Sequence, residues 1–432
     1  MELDIVLVVI SAAIAGGAIG TFTGLIPGIH VNTLSALMLA SYPFITDTVS
    51  PFLPDGTSDI CVAGCIFSAS IVHSFVDYVP SVFLGAPDPE DVVGMLPGHR
   101  LLAEGRGMAA IRSAAIGSCV GACASTLISI PLQFLLFNGL GDHLDRITWV
   151  VLLAVISMMI LYEKTPKGMI WASICLISSG IVGIICMDAD IPSAGPMMEG
   201  TLLFPMLTGM FGIPSMMDSL NNNRIVEQKD EERYPVGILP GLKGLVTGTL
   251  TGWFPGITAT TGAVISSTVT PEKGPEGFVS MVASIGTASA VMMLTTMSVT
   301  GSGRSGATII VSEILGDGIV GFMNDRFILL LLTAAVASLI GYHVTISCGR
   351  MMMHLTNRVD SRKLNVACLL TVTALVYLLT GPYGLAVMAV SAFIGRLPIE
   401  SGVSRIHLTG CLLIPTVLSS LGLRDAILSI LF

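Results

Sequence analysis

Eleven apolar runs cover about half of this chain, near 5–24, 59–80, 113–136, 148–162, 168–187, 237–254, 278–299, 327–349, 364–380, 383–397 and 406–421. A helix that crosses a bilayer needs about 20 predominantly apolar residues, and most of these runs approach that length. Lipid offers the backbone no hydrogen-bond partners, so each run must satisfy its own amides as a helix. Shorter apolar pieces near 33–46, 80–86, 202–217, 258–269 and 306–316 read as half-helices or re-entrant segments. Charge is too scarce for a soluble globule: 11% of the 432 residues are charged and 53% are hydrophobic, where soluble domains carry about 25% charged residues. The net charge of -9 also repels phosphate, which excludes a nucleic-acid binder. The expected fold is an all-α polytopic membrane protein.

One hydrophilic stretch, 221–236, holds Asn221-Asn222-Asn223 and the charged run Glu227–Arg233. It separates a first half, 1–220, from a second, 237–432. Lysine and arginine set the expected orientation. Fifteen of them, among them Arg100, Arg112, Lys229, Lys243 and Arg350, fall on the side of this linker, against Arg146, Arg326 and Arg424 on the other. The linker is therefore expected in the cytoplasm and both termini outside, in a cell-membrane protein. The acidic start Met1-Glu2-Leu3-Asp4 lacks the basic region of a signal peptide, so the first run is expected to stay as a helix.

The two halves share a motif. Residues 20–33 read GTFTGLIPGIHVNT and residues 248–261 read GTLTGWFPGITATT, identical at eight of 14 positions at an offset of 228. Because the first half starts outside and the second inside, the duplication predicts two inverted repeats. Such repeats meet at broken helices near the midplane in secondary transporters. Proline removes a backbone donor and glycine permits unusual dihedrals, so Pro27-Gly28 and Pro255-Gly256 stop one helix before the next begins. A helix start offers free amides and a partial positive charge to an anion. Gly28, His30, Asn32 and Thr33 at one break, and Gly256, Thr258, Thr260 and Thr261 at the other, are the candidate substrate residues. Packing kinks with self-bonded threonines are the alternative.

Further polar residues interrupt apolar surroundings. Arg304 lies in Thr300-Gly-Ser-Gly-Arg-Ser-Gly306, where a charge costs enough to imply a cavity. With Ser302 and Ser305 it is assigned to the substrate anion, and the turn amides are expected to form an anion nest; an arginine at the membrane interface is the other reading. His73 and Asp77, four apart on one helix, are candidates for a coupling H⁺ or Na⁺ or for a satisfied pair. Asp88, in the acidic turn Asp88-Pro-Glu-Asp91 of the first half, is a third coupling candidate or part of a solvated loop. The remaining histidines, His99 and His407 among them, lie near span ends, where packing at the interface is expected. The nine cysteines sit in apolar runs with no metal-binding spacing, so neither a metal nor another cofactor is expected. No hydrolase or nucleotide motif appears, so the chain is not read as an enzyme.

These motifs resemble the large membrane subunit of tripartite tricarboxylate transporters, the TctA type. The likeness extends to Phe83-Leu-Gly85-Ala-Pro87, to Leu101-Leu-Ala-Glu-Gly105, to Leu207-Thr-Gly-Met-Phe-Gly212 and to Gly402-Val-Ser-Arg405-Ile-His-Leu-Thr-Gly410 with Pro415. The resemblance implies ion-coupled uptake of a small organic anion such as a carboxylate, by a secondary transporter using alternating access. It also implies a small membrane subunit and an external binding protein as partners, besides membrane lipids; a homodimer stays open. A weaker resemblance is to polyprenyl-phosphate translocases, which makes a lipid phosphate the alternative substrate.

Overall fold

The structure, a computed structural model, describes residues 3–26, 31–84, 92–188, 195–196, 202–214, 216–217, 226–230, 233–254, 259–270, 272–359 and 361–431. Several side chains within helices, those of Asn32, Thr33, Thr260 and Thr261 among them, also fall outside the description. Helix is the only regular structure among the described residues. In chain order the helices are α1 (Leu3–Leu25), α2 (Val31–Ala40), α3 (Tyr42–Val49), α4 (Ser58–Val76), α5 (Tyr78–Leu84), α6 (Val92–Ala103), α7 (Gly107–Leu135), α8 (Gly141–Leu161) and α9 (Pro166–Asp188). They continue with α10 (Leu203–Leu207), α11 (Leu239–Trp253), α12 (Ala259–Val269), α13 (Pro275–Thr300), α14 (Gly306–Leu315), α15 (Asp325–Arg358), α16 (Ser361–Ser401), α17 (Gly410–Ser420) and α18 (Arg424–Leu431).

Seven helical stretches among the described residues are long and apolar enough to cross a membrane. The protein is thus an all-α, multi-pass membrane protein. Eleven runs become seven for local reasons. The runs at 113–136 and 148–162 join as Gly107–Leu161, bent at Asn138 and at Gly139 with φ 99°. The runs at 364–380 and 383–397 lie in one helix bent at Gly381, φ 66°. The 237–254 run forms a helix of only 15 residues, roughly 22 Å long at 1.5 Å per residue. The last run opens as a tight 3-10 turn, Arg405–Thr409, before α17.

In both motif regions the first helix ends two residues ahead of the proline. One helix ends at Leu25 and the next starts at Val31; in the second half the ends are Trp253 and Ala259. A stripe of glycines four apart seats the first helix of each half. Gly16, Gly20 and Gly24 lie against Cys65/Ser68, Ala69/Val72 and His73/Val76 of α4. Gly244, Gly248 and Gly252 lie against Met281/Ser284, Ile285/Ala288 and Ser289/Met292 of α13. The stripes correspond at an offset of 228 and their partners at 216, so the same docking occurs twice. A hydrogen bond repeats with it: Ser68 Oγ donates to the Ala13 carbonyl oxygen at 2.6 Å, and Ser284 Oγ to that of Gly241 at 2.6 Å. Small residues let membrane helices approach closely enough for dispersion and such bonds to hold them.

The halves are interlocked. α7 packs on α13 and, reciprocally, α15 on α4; α11 packs on α7 and α1 on α15. The α7–α13 seam is buried but polar. Thr287 Oγ1 donates to the Ser118 carbonyl oxygen at 2.9 Å, Thr295 Oγ1 to Ser129 Oγ at 3.0 Å and Gln133 Nε2 to Ser298 Oγ at 2.8 Å. The largest apolar core lies where α4, α13 and α15 meet, around Phe67, Phe75, Met297 and Phe327. The cysteines whose side chains are described are free thiols.

Candidate functional site

The approach to the two breaks follows from what the preceding helices touch. Gly24 sits on His73 and Val76, inside the 27-residue span Ser58–Leu84; Gly252 sits on Ser289 and Met292, inside the 26-residue span Pro275–Thr300. The helices that lead to the breaks are therefore seated along the interior of a full span and run parallel to it, ending at Leu25 and Trp253. Gly28, His30, Gly256 and Thr258 lie outside the described residues, as do the side chains of Asn32, Thr33, Thr260 and Thr261. The half-helices that follow the breaks are described as backbone and cross-pair between halves: α2 packs on α14, and α12 on α6.

His73 and Asp77 stand beside the first break. His73 Nδ1 lies 3.0 Å from Thr23 Oγ1, which ties α4 to the last turn of α1. All three side chains are buried, with Thr23 1%, His73 4% and Asp77 8% exposed. Thr23 also donates to the Gly20 carbonyl oxygen at 3.2 Å, as Thr251 does to that of Gly248 at 3.0 Å. At the second break the positions matching His73 and Asp77 are Ser289 and Met293, so the ionisable pair belongs to the first half alone. Asp88 lies outside the described residues.

Arg304 follows the end of α13, on the side to which the second break leads. α11 runs parallel to α13, Thr296 Oγ1 donates to the Gly252 carbonyl oxygen at 3.1 Å, and Phe254 and Val299 belong to one apolar cluster, so the end of α11 lies a few residues short of the Arg304 turn. Its Nη2 lies 3.8 Å from Asp145 Oδ1 of α8, and its buried Nε has no hydrogen-bond partner among the described residues. Burial pulls the guanidinium below its ordinary value and Asp145 acts against that. The turn amides are engaged internally. Arg304 N and Ser305 N donate to Thr308 Oγ1 at 3.0 and 2.8 Å, and Ser302 N to Thr300 Oγ1 at 3.3 Å. Ser305 Oγ accepts from Thr308 N at 3.2 Å as the N-cap of α14. These three amides are thus occupied within the turn, two of them by Thr308 Oγ1, which with Ser305 forms the capping box of α14. Thr308 was not marked by sequence reading; Ser305-x-x-Thr308 ahead of an apolar helix was its signal.

Two charged clusters also escaped sequence reading. In the linker, Asp230 is held by Arg112 of α7 at 2.8 and 2.9 Å and by Arg350 of α15 at 3.0 Å. Burial raises its carboxyl, but the hydrogen bonds and charges of the two arginines outweigh that and hold it below the usual carboxylate range. Beside it, Gln228 exchanges backbone bonds with Asn357 and accepts from Gly107 N at 2.9 Å. At the α8–α9 turn, Glu163 meets His407, which is fully buried.

The model of the tripartite tricarboxylate transporter TctA family matches residues 10–410. An uncharacterized protein of Methanocaldococcus jannaschii is 28% identical over 417 residues, 94% of this chain and 97% of that protein. An uncharacterized 52.8 kDa protein of Agrobacterium vitis is 26% identical over 267 residues, 56% of this chain and 48% of that protein. No solved structure matches. With a match spanning both glycine stripes, both breaks and the Arg304 turn, the chain belongs to the tripartite tricarboxylate transporter TctA family.

Proposed function

We propose that this chain is the transporting subunit of an ion-coupled carrier that moves a small organic anion, a carboxylate, across the cell membrane by alternating access. The single observation that carries this reading is the doubled break: two interrupted helices, each seated by the same glycine stripe against the interior of a full span. At each break the start of a half-helix presents amides to an anion, with Gly28, His30, Asn32 and Thr33 on one side and Gly256, Thr258, Thr260 and Thr261 on the other. Arg304, on the turn that follows α13 beside the end of α11, adds its positive charge to the attraction for the anion. His73 and Asp77, at the first break only, are the seat of the coupling H⁺ or Na⁺. The positive residues around the linker put the linker in the cytoplasm and both termini outside. The tripartite system named by the family adds an external binding protein and a small membrane subunit.

The test is a thermal-shift titration of purified protein with a tricarboxylate, a dicarboxylate, inorganic phosphate and a polyprenyl phosphate. A carboxylate is expected to stabilise the protein. Arg304→Ala should weaken its apparent affinity by roughly tenfold, the worth of one hydrogen bond to a charged group. Stabilisation by the polyprenyl phosphate alone would overturn the carboxylate reading, and an unchanged affinity would take Arg304 out of the anion's route.

A further inference from the structure

His407 is fully buried in the Arg405–Thr409 turn. Its Nε2 lies 3.0 Å from Glu163 Oε1, which also accepts from Ser404 N at 2.9 Å. Its Nδ1 is buried and has no hydrogen-bond partner among the described residues. A neutral ring that donates Nε2–H to Glu163 therefore carries at Nδ1 a buried lone pair with no partner among the described residues, which is costly for a polar atom.

The fold contains its own control for this position. Leu207-Thr208-Gly209 with Ile213-Pro214 recurs as Leu408-Thr409-Gly410 with Ile414-Pro415. The surroundings recur too. Gly209 lies against Met388 and Ser391 of α16, and Gly410 against Leu176 and Ser179 of α9; Gly395 meets the Met210 carbonyl and Gly183 that of Cys411. In the other copy the residue before Leu-Thr-Gly is Met206, fully buried in an apolar cluster. Packing at this place is satisfied by a methionine, so the buried imidazole is not required by the fold. What it adds is a proton acceptor.

We propose that Nδ1 of His407 is a proton-binding site, apart from the anion pocket, whose loading releases the Arg405–Thr409 turn from Glu163 and from the helices it touches. The proton comes from water and adds to the Nδ1 lone pair, leaving an imidazolium; no other bond changes. The titratable and charged residues of the packed elements are Glu163 ahead of α9, Lys167, Cys175, Cys186 and Asp188 of α9, His99 and Arg100 of α6, Cys411 of α17, and Arg362, Lys363, Cys368, Tyr377, Tyr383 and the mutually paired Arg396 and Glu400 of α16, with Arg405 on the turn itself. α12 carries none, and α8 carries its own in its first two turns, at the opposite end. Burial pulls the ring below its ordinary value, and Glu163 only partly restores it. The neutral ring is thus the packed state. Its stability is complete above the ordinary histidine value and is lost as pH falls through the lowered one, so acid favours a state in which the ring meets water. Because the turn also packs on α6 and α12, its release loosens two walls beside the second break.

The experiment is thermal unfolding of the full chain in detergent between about pH 8 and pH 5, for the wild type, for Glu163→Gln with His407→Met, and for His99→Gln. His99 needs its own variant because burial, and Arg405 nearby, lower it too, against the pull of the Ser81 carbonyl. The wild type is expected to lose several degrees on acidification. The double variant, which copies the buried methionine of the other repeat, should lose markedly less, while His99→Gln keeps most of the drop. A double variant with the wild-type profile overturns the proposal. If that variant does not fold, nitrogen shifts of labelled histidines decide. Recorded in the His99→Gln protein, one of the six remaining histidines should pass from the Nε2–H tautomer to the doubly protonated form below the others, and six ordinary titrations would also overturn it. Neither readout uses a substrate, so the result stands apart from the fate of the carboxylate reading.

Discussion

Glycine is the residue whose placement matters most here. At Gly20 a Cβ would lie 3.0 Å from Val72 Cβ and from the His73 amide nitrogen, and at Gly248 it would lie 2.6 Å from Ala288 Cβ. A larger side chain cannot enter without parting α1 from α4, or α11 from α13. Gly248→Val is expected to destabilise by about 1–3 kcal/mol, the usual cost of overpacking. Gly237→Ala, at a glycine with nothing within 4 Å, serves as the neutral control. Unfolding temperature in detergent reads both, and equal values would remove the stripe from the account of the fold. Sequence comparison picked out Gly20, Gly24, Gly248 and Gly252 as repeated residues. Their role in packing was not visible there, because the surface that covers a glycine belongs to another helix.

Short helices do the specialised work, and their ends are set by local chemistry. α14 has ten residues and starts on a reciprocal cap between Ser305 and Thr308. Thr308 Oγ1 holds the amides of both Arg304 and Ser305, so one hydroxyl fixes the turn that aims the guanidinium. Thr308→Val should cost about 1 kcal/mol, as the loss of a cap does, and should speed proteolysis within 301–305. A turn equally resistant in the variant would show that Val320, against Gly301, holds it instead. The half-helices α2 and α12 were expected from the Pro-Gly breaks, and the restarts at Val31 and Ala259 follow from where proline and glycine stand. That each leans on a helix of the opposite half was not legible, since no local pattern names a distant partner.

At the scale of the whole molecule the repeats are woven together. α4 is covered by α15 and α14 of the second half, and α13 by α7 and α6 of the first. The α9–α17 pair and the pairing of α16 with Thr208–Gly212 exchange halves again. Residues 1–220 expressed without 237–432 should therefore aggregate in detergent, and co-expression of the two pieces should restore a monodisperse complex. Size-exclusion chromatography of each sample gives the answer; a monodisperse first half alone would refute the interlocked packing. The linker adds a clasp to this assembly, because Asp230 bonds Arg112, 118 residues before it, and Arg350, 120 residues after it.

The chain by itself determined the class of fold, the duplication and the positions of both breaks. Apolar length, proline and glycine act within a few residues, and lipid leaves the backbone no choice but helix. Tertiary structure decided which faces meet, that the end of α11 comes beside the end of α13 and the Arg304 turn, and that Glu163 finds His407 across 244 residues. Those outcomes depend on the docking of whole helices, where one glycine stripe selects its partner by shape, and shape exists only once the distant helix has arrived.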